Sequence, residues 1–289
     1  MEVYMFHYVL KKFNYPHFDY EEFEMVIKRL SRDYKLINIQ EFCHLKTGKI
    51  PQTKEKYILL TFDDGTRDHY EFVYKILRKY NIPALFFLCS NVFNRKVLSI
   101  QLIHSLLANI RIEILYNDLL ILLEKYKHSN CIFKLKKSKH DDEKTNVFKR
   151  LLQYELPYYI RKAILNELIK KYNISKKFKD YYLSINQIQK MKNNGMDFGL
   201  HTENHLNLQK LSYEEQYNEI KKNYDLFIKY DIFKEIKSIS YPFGYYNNDT
   251  IKILKKLKID LAFAIESGTI SDIYSIQRKD CNVLKRGSI

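Results

Sequence analysis

The feature that most constrains the fold is a regular alternation of short apolar runs with amphipathic stretches. "VYMFHYV" (3–9) reads as a strand, and "DYEEFEMVIKRLSRDY" (19–34) as a helix with Phe23, Val26, Ile27 and Leu30 on one face. "KLINI" (35–39) and "KYILLTF" (56–62) read as strands, "RDHYEFVYKILRKY" (67–80) as a helix, and "ALFFL" (84–88) as a strand. The pattern resumes with a helix over 184–195 that ends at Gly195, followed by the strand "MDFGL" (196–200). A long helix over 212–230 has Ser212 as its N-cap and Glu215 three residues on, the spacing of a capping box. A strand "IKSISY" (236–241), a helix over 248–258 and a strand "LAFAI" (261–265) complete the series. Strands that alternate with helices imply an α/β fold with a mostly parallel sheet, and seven or eight such units suit a barrel better than an open sheet. No P-loop or G-x-G-x-x-G follows any strand, which argues against a nucleotide-binding sheet.

Between residues 92 and 182 the period changes. "LSIQLIHSLLANI", "YNDLLILLEKY", "NVFKRLLQYEL" and "YYIRKAILNELIKKY" carry apolar residues at three- and four-residue spacing, separated by hydrophilic joints such as "KKSKHDDEKT" (136–145). Each segment has an apolar face to bury, so the stretch reads as a helical insertion rather than a linker. The expected organisation is one catalytic domain over 1–289 with that insertion.

Hydrophobic residues make up 46% of the chain, including 18 Phe and 25 Tyr, which supports a substantial core and excludes disorder. The 49 basic and 34 acidic residues give a net charge of +15. The lysines are spread along the chain, and no zinc-finger, helix-turn-helix or RNA-binding aromatic signature appears, so nucleic acid is not an expected partner. Peripheral contact with an anionic membrane surface fits the charge. Cys43, Cys89, Cys131 and Cys281 are far apart and form no disulfide framework. The opening "MEVYMFHYVL" lacks the pattern of a signal peptide, and no run of about twenty apolar residues is present, so a cytoplasmic location is expected.

In parallel α/β barrels the chemistry lies at the C-terminal ends of the strands. Here one strand runs into Asp63-Asp64-Gly65, another into His201, a third into Pro242-Phe243-Gly244, and the first carries His7 near its end. Adjacent carboxylates repel each other, and a nearby cation stabilises both as anions. Taken alone, the Asp-Asp-Gly turn equally suits a carboxylate capping the next helix. His201 and His205 lie four apart in "GLHTENHLNL", but Glu203 is one place off the H-E-x-x-H pattern, so this is not a protease helix. Two histidines with one aspartate make three protein ligands and leave a position open for water.

"TFDDG" (61–65) together with "HTENH" (201–205) resembles the NodB-type polysaccharide deacetylase family, carbohydrate esterase family 4, over roughly residues 1–90 and 183–289. The third motif is partial: in "SYPFG" (240–244), Ser240 stands where the family has Arg and Phe243 where it has Tyr. The resemblance implies a distorted (β/α) barrel of about seven strands and a divalent metal, with zinc expected. It carries over Asp64, His201 and His205 as metal ligands, Asp63 as catalytic base, and the backbone N–H of Phe243, beside Tyr241, as the oxyanion and substrate contact. The metal would polarise an amide carbonyl and acidify water, and Asp63 would accept the proton. The usual C-terminal Leu-x-His motif is missing. In some relatives the histidine strand comes first, and "YMFHYV" (4–9) is similar to it, so His7 is expected as the general acid. Arg278, in "IQRKD", is expected to replace the missing arginine that orients the base.

Asp68, His69 and His104 are secondary candidates; capping of the following helix is the simpler role for the first two. The implied activity is hydrolysis of the N-acetyl or N-formyl amide of an amino sugar in surface-polysaccharide synthesis. The substrate would be nucleotide-linked, lipid-linked or a glycan. Two rivals share the residues: a metal amidase acting on a non-sugar substrate, and a non-catalytic carbohydrate-binding protein on a decayed deacetylase fold.

Overall fold

In the computed structural model the apolar runs become eight strands: β1 (Glu2–Phe6), β2 (Lys35–Leu36), β3 (Tyr57–Phe62), β4 (Leu85–Leu88), β5 (Asp197–Leu200), β6 (Ser238–Ser240), β7 (Leu261–Ile265) and β8 (Ile276–Asp280). The structure describes residues 1–10, 16–51, 54–94, 96–134, 141–177, 181–265 and 273–281. All strand pairings are parallel, in the order β1-β8-β7-β6-β5-β4-β3. β1 also pairs with β3, Glu2 opposite Ile58 through Phe6 opposite Phe62, and this pairing closes a seven-stranded barrel. β2 adds only two residues, against the start of β3.

Strand parity sorts the core. Phe6, Phe62, Phe86 and Phe198 lie directly opposite one another across β1, β3, β4 and β5. Their rings follow at 5.0, 4.9 and 5.7 Å, a phenylalanine ladder on the outer face of the barrel. The opposite parity supplies Val3, Leu59, Leu85, Phe87, Leu261, Phe263 and Ile276 to the interior. Gly199 of β5 shares that interior because a Cβ there would lie 2.6 Å from both the Phe87 ring and Ser238 Oγ.

The helices are α1 (Tyr20–Asp33), α2 (Ile39–Lys46), α3 (Tyr74–Lys79), α4 (Asn91–Asn94), α5 (Ser99–Asn109), α6 (Ile112–Lys125), α7 (Glu143–Arg150), α8 (Tyr158–Lys171), α9 (Ile185–Asn193), α10 (Tyr213–Lys229) and α11 (Asn248–Lys256). The strand expected over 35–39 is cut short at Leu36. Asn38 and Glu41 form a capping box that starts α2, and this local hydrogen bonding outweighs the apolar run. α2 then delivers Ile39, Phe42 and Leu45 to the interior cluster. The helix expected over 67–80 begins as a π-turn, His69–Val73, before α3. The capping box at Ser212 and Glu215 forms as read.

The chain divides into two compact units. The barrel comprises Met1–Lys12, Pro16–Arg95 and Tyr181–Ile289, and a helical unit spans Lys96–Asp180. In the helical unit α5 to α8 bury Ile103, Leu106, Leu115, Leu119, Leu123, Phe148, Ile164 and Leu168, the apolar positions of the four periodic segments. Much of the joint at 136–145 lies outside the described residues. Among the described residues, no helix is long and apolar enough to cross a membrane.

The chain has only seven glycines, and other residues take left-handed backbone in their place. Nine described non-glycine residues have positive φ. Five of them, Asn81, Lys127, Asn173, Asp231 and Lys258, follow the C-cap of α3, α6, α8, α10 and α11. That is the position glycine favours at a helix end.

Candidate active site and metal centre

The remaining four left-handed residues are Asp64 (φ 76), Thr202 (φ 64), His205 (φ 54) and Phe243 (φ 58), all just beyond the ends of β3, β5 and β6. Left-handed conformations at non-glycine residues cost energy and concentrate where the surrounding structure fixes side chains for function.

β3 ends at Phe62 and delivers Asp63 inward. From the same parity of β8, Arg278 reaches Asp63 with both terminal nitrogens: Nη1 donates to Oδ1 at 2.7 Å and Nη2 to Oδ2 at 2.8 Å. Nη2 also donates to Ser240 Oγ at 2.7 Å, and that hydroxyl donates to Asp63 Oδ2 at 3.1 Å. The guanidinium lies 5.5 Å from the Phe87 ring centroid and is only 1% exposed. Ser240, which departs from the family arginine, thus joins an arginine supplied by another strand. Burial raises the Asp63 carboxyl, but the charges of Arg278 and His201 outweigh it and hold the group at about 2.

Asp64, His201 and His205 each offer one ligand atom, and the three atoms lie within 4.8 Å of one another. Asp64 Oδ1 is 3.4 Å from Nε2 of both histidines. His201 Nδ1 lies 2.8 Å from the Ser240 carbonyl oxygen, an acceptor, so Nδ1 carries the hydrogen. A neutral His201 then turns its Nε2 lone pair toward Asp64, the orientation common in metal-ligating histidines. Burial pushes His205 down to about 4, toward the neutral form that ligates metals. For His201 burial acts the same way, but Asp63 and Asp64 outweigh it and raise its pKa. Asp64 is raised by burial and lowered more strongly by the two histidines, well below the carboxylate range. A carboxylate and two imidazole lone pairs converging on one point fit a divalent cation such as zinc.

The loop carrying the histidines is fixed from below. His201 N–H donates to Asn223 Oδ1 at 2.9 Å, and His205 N–H to Thr202 Oγ1 at 3.1 Å. Glu219 accepts from the Asn204 backbone N–H at 2.8 Å and from its side-chain amide at 2.6 Å. Asn91 Nδ2 donates to Asn204 Oδ1 at 3.1 Å. The sequence reading missed Glu219 and Asn223. Their signal was present: both fall on the buried face of α10 with Ile220 and Phe227, where polar residues need a partner.

The other candidates separate. His7 is half-buried one residue past β1, within electrostatic reach of both Asp63 and Asp64. The Phe243 ring meets the His205 ring edge-on at 4.7 Å. Gly244 (φ 76) packs so tightly that a Cβ would lie 2.7 Å from Ile265 N. Tyr241 is fully buried; its hydroxyl donates to the Tyr274 carbonyl at 2.9 Å and its ring stacks on Tyr246 at 4.6 Å. These contacts brace the turn. Asp68 does not cap the following turn but accepts a hydrogen bond from Val9 N–H at 2.7 Å. His69 packs on the phenylalanine ladder, and His104 is buried on α5 of the helical unit.

The polysaccharide deacetylase family profile matches residues 51–262. No curated protein matches the chain in sequence. Among solved structures, the Streptococcus pyogenes deacetylase PplD in complex with acetate aligns with a TM-score of 0.60 at 18% identity, covering 99% of this chain and 96% of that one. IcaB from Ammonifex degensii aligns at 0.59 and 16% identity, covering 96% and 90%. A de-N-acetylase from Aggregatibacter actinomycetemcomitans aligns at 0.59 and 15% identity, covering 96% and 93%. At these identities the structures share the fold, and the family match carries the assignment: the chain belongs to the polysaccharide deacetylase family and is a hydrolase of the deacetylase type.

Proposed function

We propose that the chain hydrolyses the N-acyl amide of an amino sugar in the synthesis of a surface polysaccharide, with the helical unit inserted into one catalytic domain. The observation that carries the reading is the convergence of two adjacent carboxylates with different surroundings. Asp64 faces two imidazoles, and Asp63 faces a guanidinium. Asp64, His201 and His205 would hold the divalent ion, zinc in our reading. When bound, the ion supplies positive charge that polarises the acyl carbonyl and acidifies water.

Asp63 is ionised at neutral pH and oriented by two charge-assisted hydrogen bonds from Arg278, so it can serve as a proton acceptor in a fixed position. Its Oδ2 lies 3.9 Å from His201 Nε2, which places it beside the ligand cluster. The Phe243 N–H is assigned to the developing oxyanion, and the left-handed turn at Phe243 and Gly244 supports that assignment. His7 is assigned as the acid that protonates the leaving amine. Acetyl is the preferred acyl group, because PplD is a deacetylase in complex with acetate.

The test is acetate or formate release by the purified chain from N-acylated glucosamine oligosaccharides, nucleotide-linked N-acyl sugars and lipid-linked sugars, alongside metal analysis. About one zinc per chain is expected, with turnover on at least one sugar class. A protein that stays metal-free with zinc supplied at equal concentration, or that releases acyl groups only from non-sugar amides, would overturn the reading.

A further inference from the structure

We propose that Asp68 and His69 are positioning residues that clamp the backbone on either side of Tyr8 and so aim the His7 side chain. The proposal rests on the reading of His7 as the proton donor. β1 ends at Phe6, and its ladder with β3 extends by one more bond, from Asp63 N–H to the Phe6 carbonyl at 3.1 Å. Beyond that point the ladder with β3 ends, and the Tyr8 carbonyl accepts instead from Phe18 N–H at 3.0 Å. Asp68 and His69, on the same loop as Asp63, hold the backbone groups on either side of it. His69 Nε2 lies 2.7 Å from the His7 carbonyl oxygen, and Asp68 Oδ2 accepts from Val9 N–H at 2.7 Å.

A carbonyl oxygen only accepts, so Nε2 of His69 carries the hydrogen. Nδ1 is buried without a hydrogen-bond partner, so the ring makes this one hydrogen bond. That ring is itself fixed, at 5.6 Å from Phe62 and 5.5 Å from Phe86. Both clamp residues are buried, Asp68 at 4% exposure and His69 at 0%. Holding the carbonyl of one residue and the N–H two positions on restricts the backbone dihedrals between them. With the Phe6 carbonyl held by Asp63 N–H and the His7 carbonyl held by His69, the His7 dihedrals, and with them the direction of its Cα–Cβ bond, are restricted too. The loop that delivers Asp63 and Asp64 at one end thus grips the segment that carries the acid at the other, which couples the two proton-transfer groups through one stretch of backbone.

The test uses the full zinc-loaded chain. His69→Phe keeps a ring on the ladder and removes the donor; Asp68→Ala removes the acceptor and Asp68→Asn keeps one. Misplacement of an acid by about an ångström costs tenfold to hundredfold, so His69→Phe and Asp68→Ala are expected to lower kcat by about that factor. KM and zinc content should hold, and Asp68→Asn should recover most of the activity. His7→Ala with His69→Phe should be no slower than His7→Ala alone, because the clamp acts only through His7. Losses that add in the double variant, or that fall on KM or zinc content, would overturn the proposal. If His69→Phe does not fold, the Asp68→Ala and Asp68→Asn pair decides on the same terms. If His7→Ala keeps full activity, the acid assignment fails. The clamp is then judged by the His7 imidazole NMR resonances, which must move in His69→Phe and Asp68→Ala but not in Asp68→Asn.

Discussion

Arg278 and Asp63 form a two-pronged ion pair, at 2.7 and 2.8 Å, across 215 residues of sequence. The planar fork matches both carboxylate oxygens, and a lysine ammonium can reach them only as a point charge. Arg278→Lys is expected to lower kcat by about tenfold or more while zinc content is unchanged. Arg278→Ala leaves a buried carboxylate unpaired and should cost about 3–5 kcal/mol of stability. Steady-state kinetics and denaturant unfolding check both. Wild-type turnover in Arg278→Lys would remove Arg278 from any role in orienting Asp63.

Metal retention should separate the two aspartates. Asp64→Ala should purify without zinc, whereas Asp63→Asn should keep zinc and lose turnover. Asn223 holds the His201 backbone without belonging to the Asp64–His201–His205 cluster, so Asn223→Ala should weaken zinc binding by about 10- to 100-fold. Lys221→Ala, on the exposed face of the same helix, should leave it unchanged. Competition with a chromogenic chelator measures all four.

Acid should destabilise the metal-free protein in two windows. Asp63 is depressed to about 2 in the folded chain, so its contribution is complete above an unfolded value of about 4 and is lost as pH falls toward 2. His205 is depressed to about 4 by burial, so the unfolded chain takes up that proton first, and stability falls between about 6.5 and 4. His201 is raised and has the opposite sign, contributing stability below its unfolded value that is lost at higher pH. The urea midpoint of the metal-free wild type, relative to His205→Gln, should therefore drop between pH 6.5 and 4. Relative to Asp63→Asn it should drop between 4 and 2. Parallel midpoints across either window would contradict the corresponding assignment.

Lys127 and Lys258 spend left-handed backbone at helix ends with no role in the site. Replacing either by glycine should raise stability by about 1 kcal/mol, because glycine enters that region without a Cβ penalty. Thermal unfolding of Lys127→Gly and Lys258→Gly should show a rise of about 2–4 °C each. A fall in either would mean the lysine side chain makes a compensating contact.

The sequence was most readable where structure is local. The Asp63-Asp64-Gly65 turn, the His201–His205 spacing and the Ser212 capping box each involve neighbours along the chain. Arg278 was traceable because Ser240 left a carboxylate without its usual guanidinium, a deficit that some cation had to fill. The strand over 35–39 ends early because Asn38, which sits inside that apolar run, caps the next helix with Glu41 just beyond it. Glu219 and Asn223 were missed for a related reason: a helical period reports which face is buried, not which buried polar group finds a partner. The placement of β1 between β3 and β8 has no local signature at all, since parallel registers are set by tertiary packing.

That placement has a consequence for how the protein is made. Of the described strands β1 is made first, yet one of its two neighbours, β8, is made last. Until β8 arrives, the nascent barrel is an open sheet with two free edges, one on β1 and one on β7, and Asp63 has no guanidinium to meet it. Ring closure and assembly of the Asp63–Arg278 ion pair are therefore one event, which waits until β8 has been made. A chain cut short before β8 would lack that ion pair, and its bare strand edges would be open to aggregation.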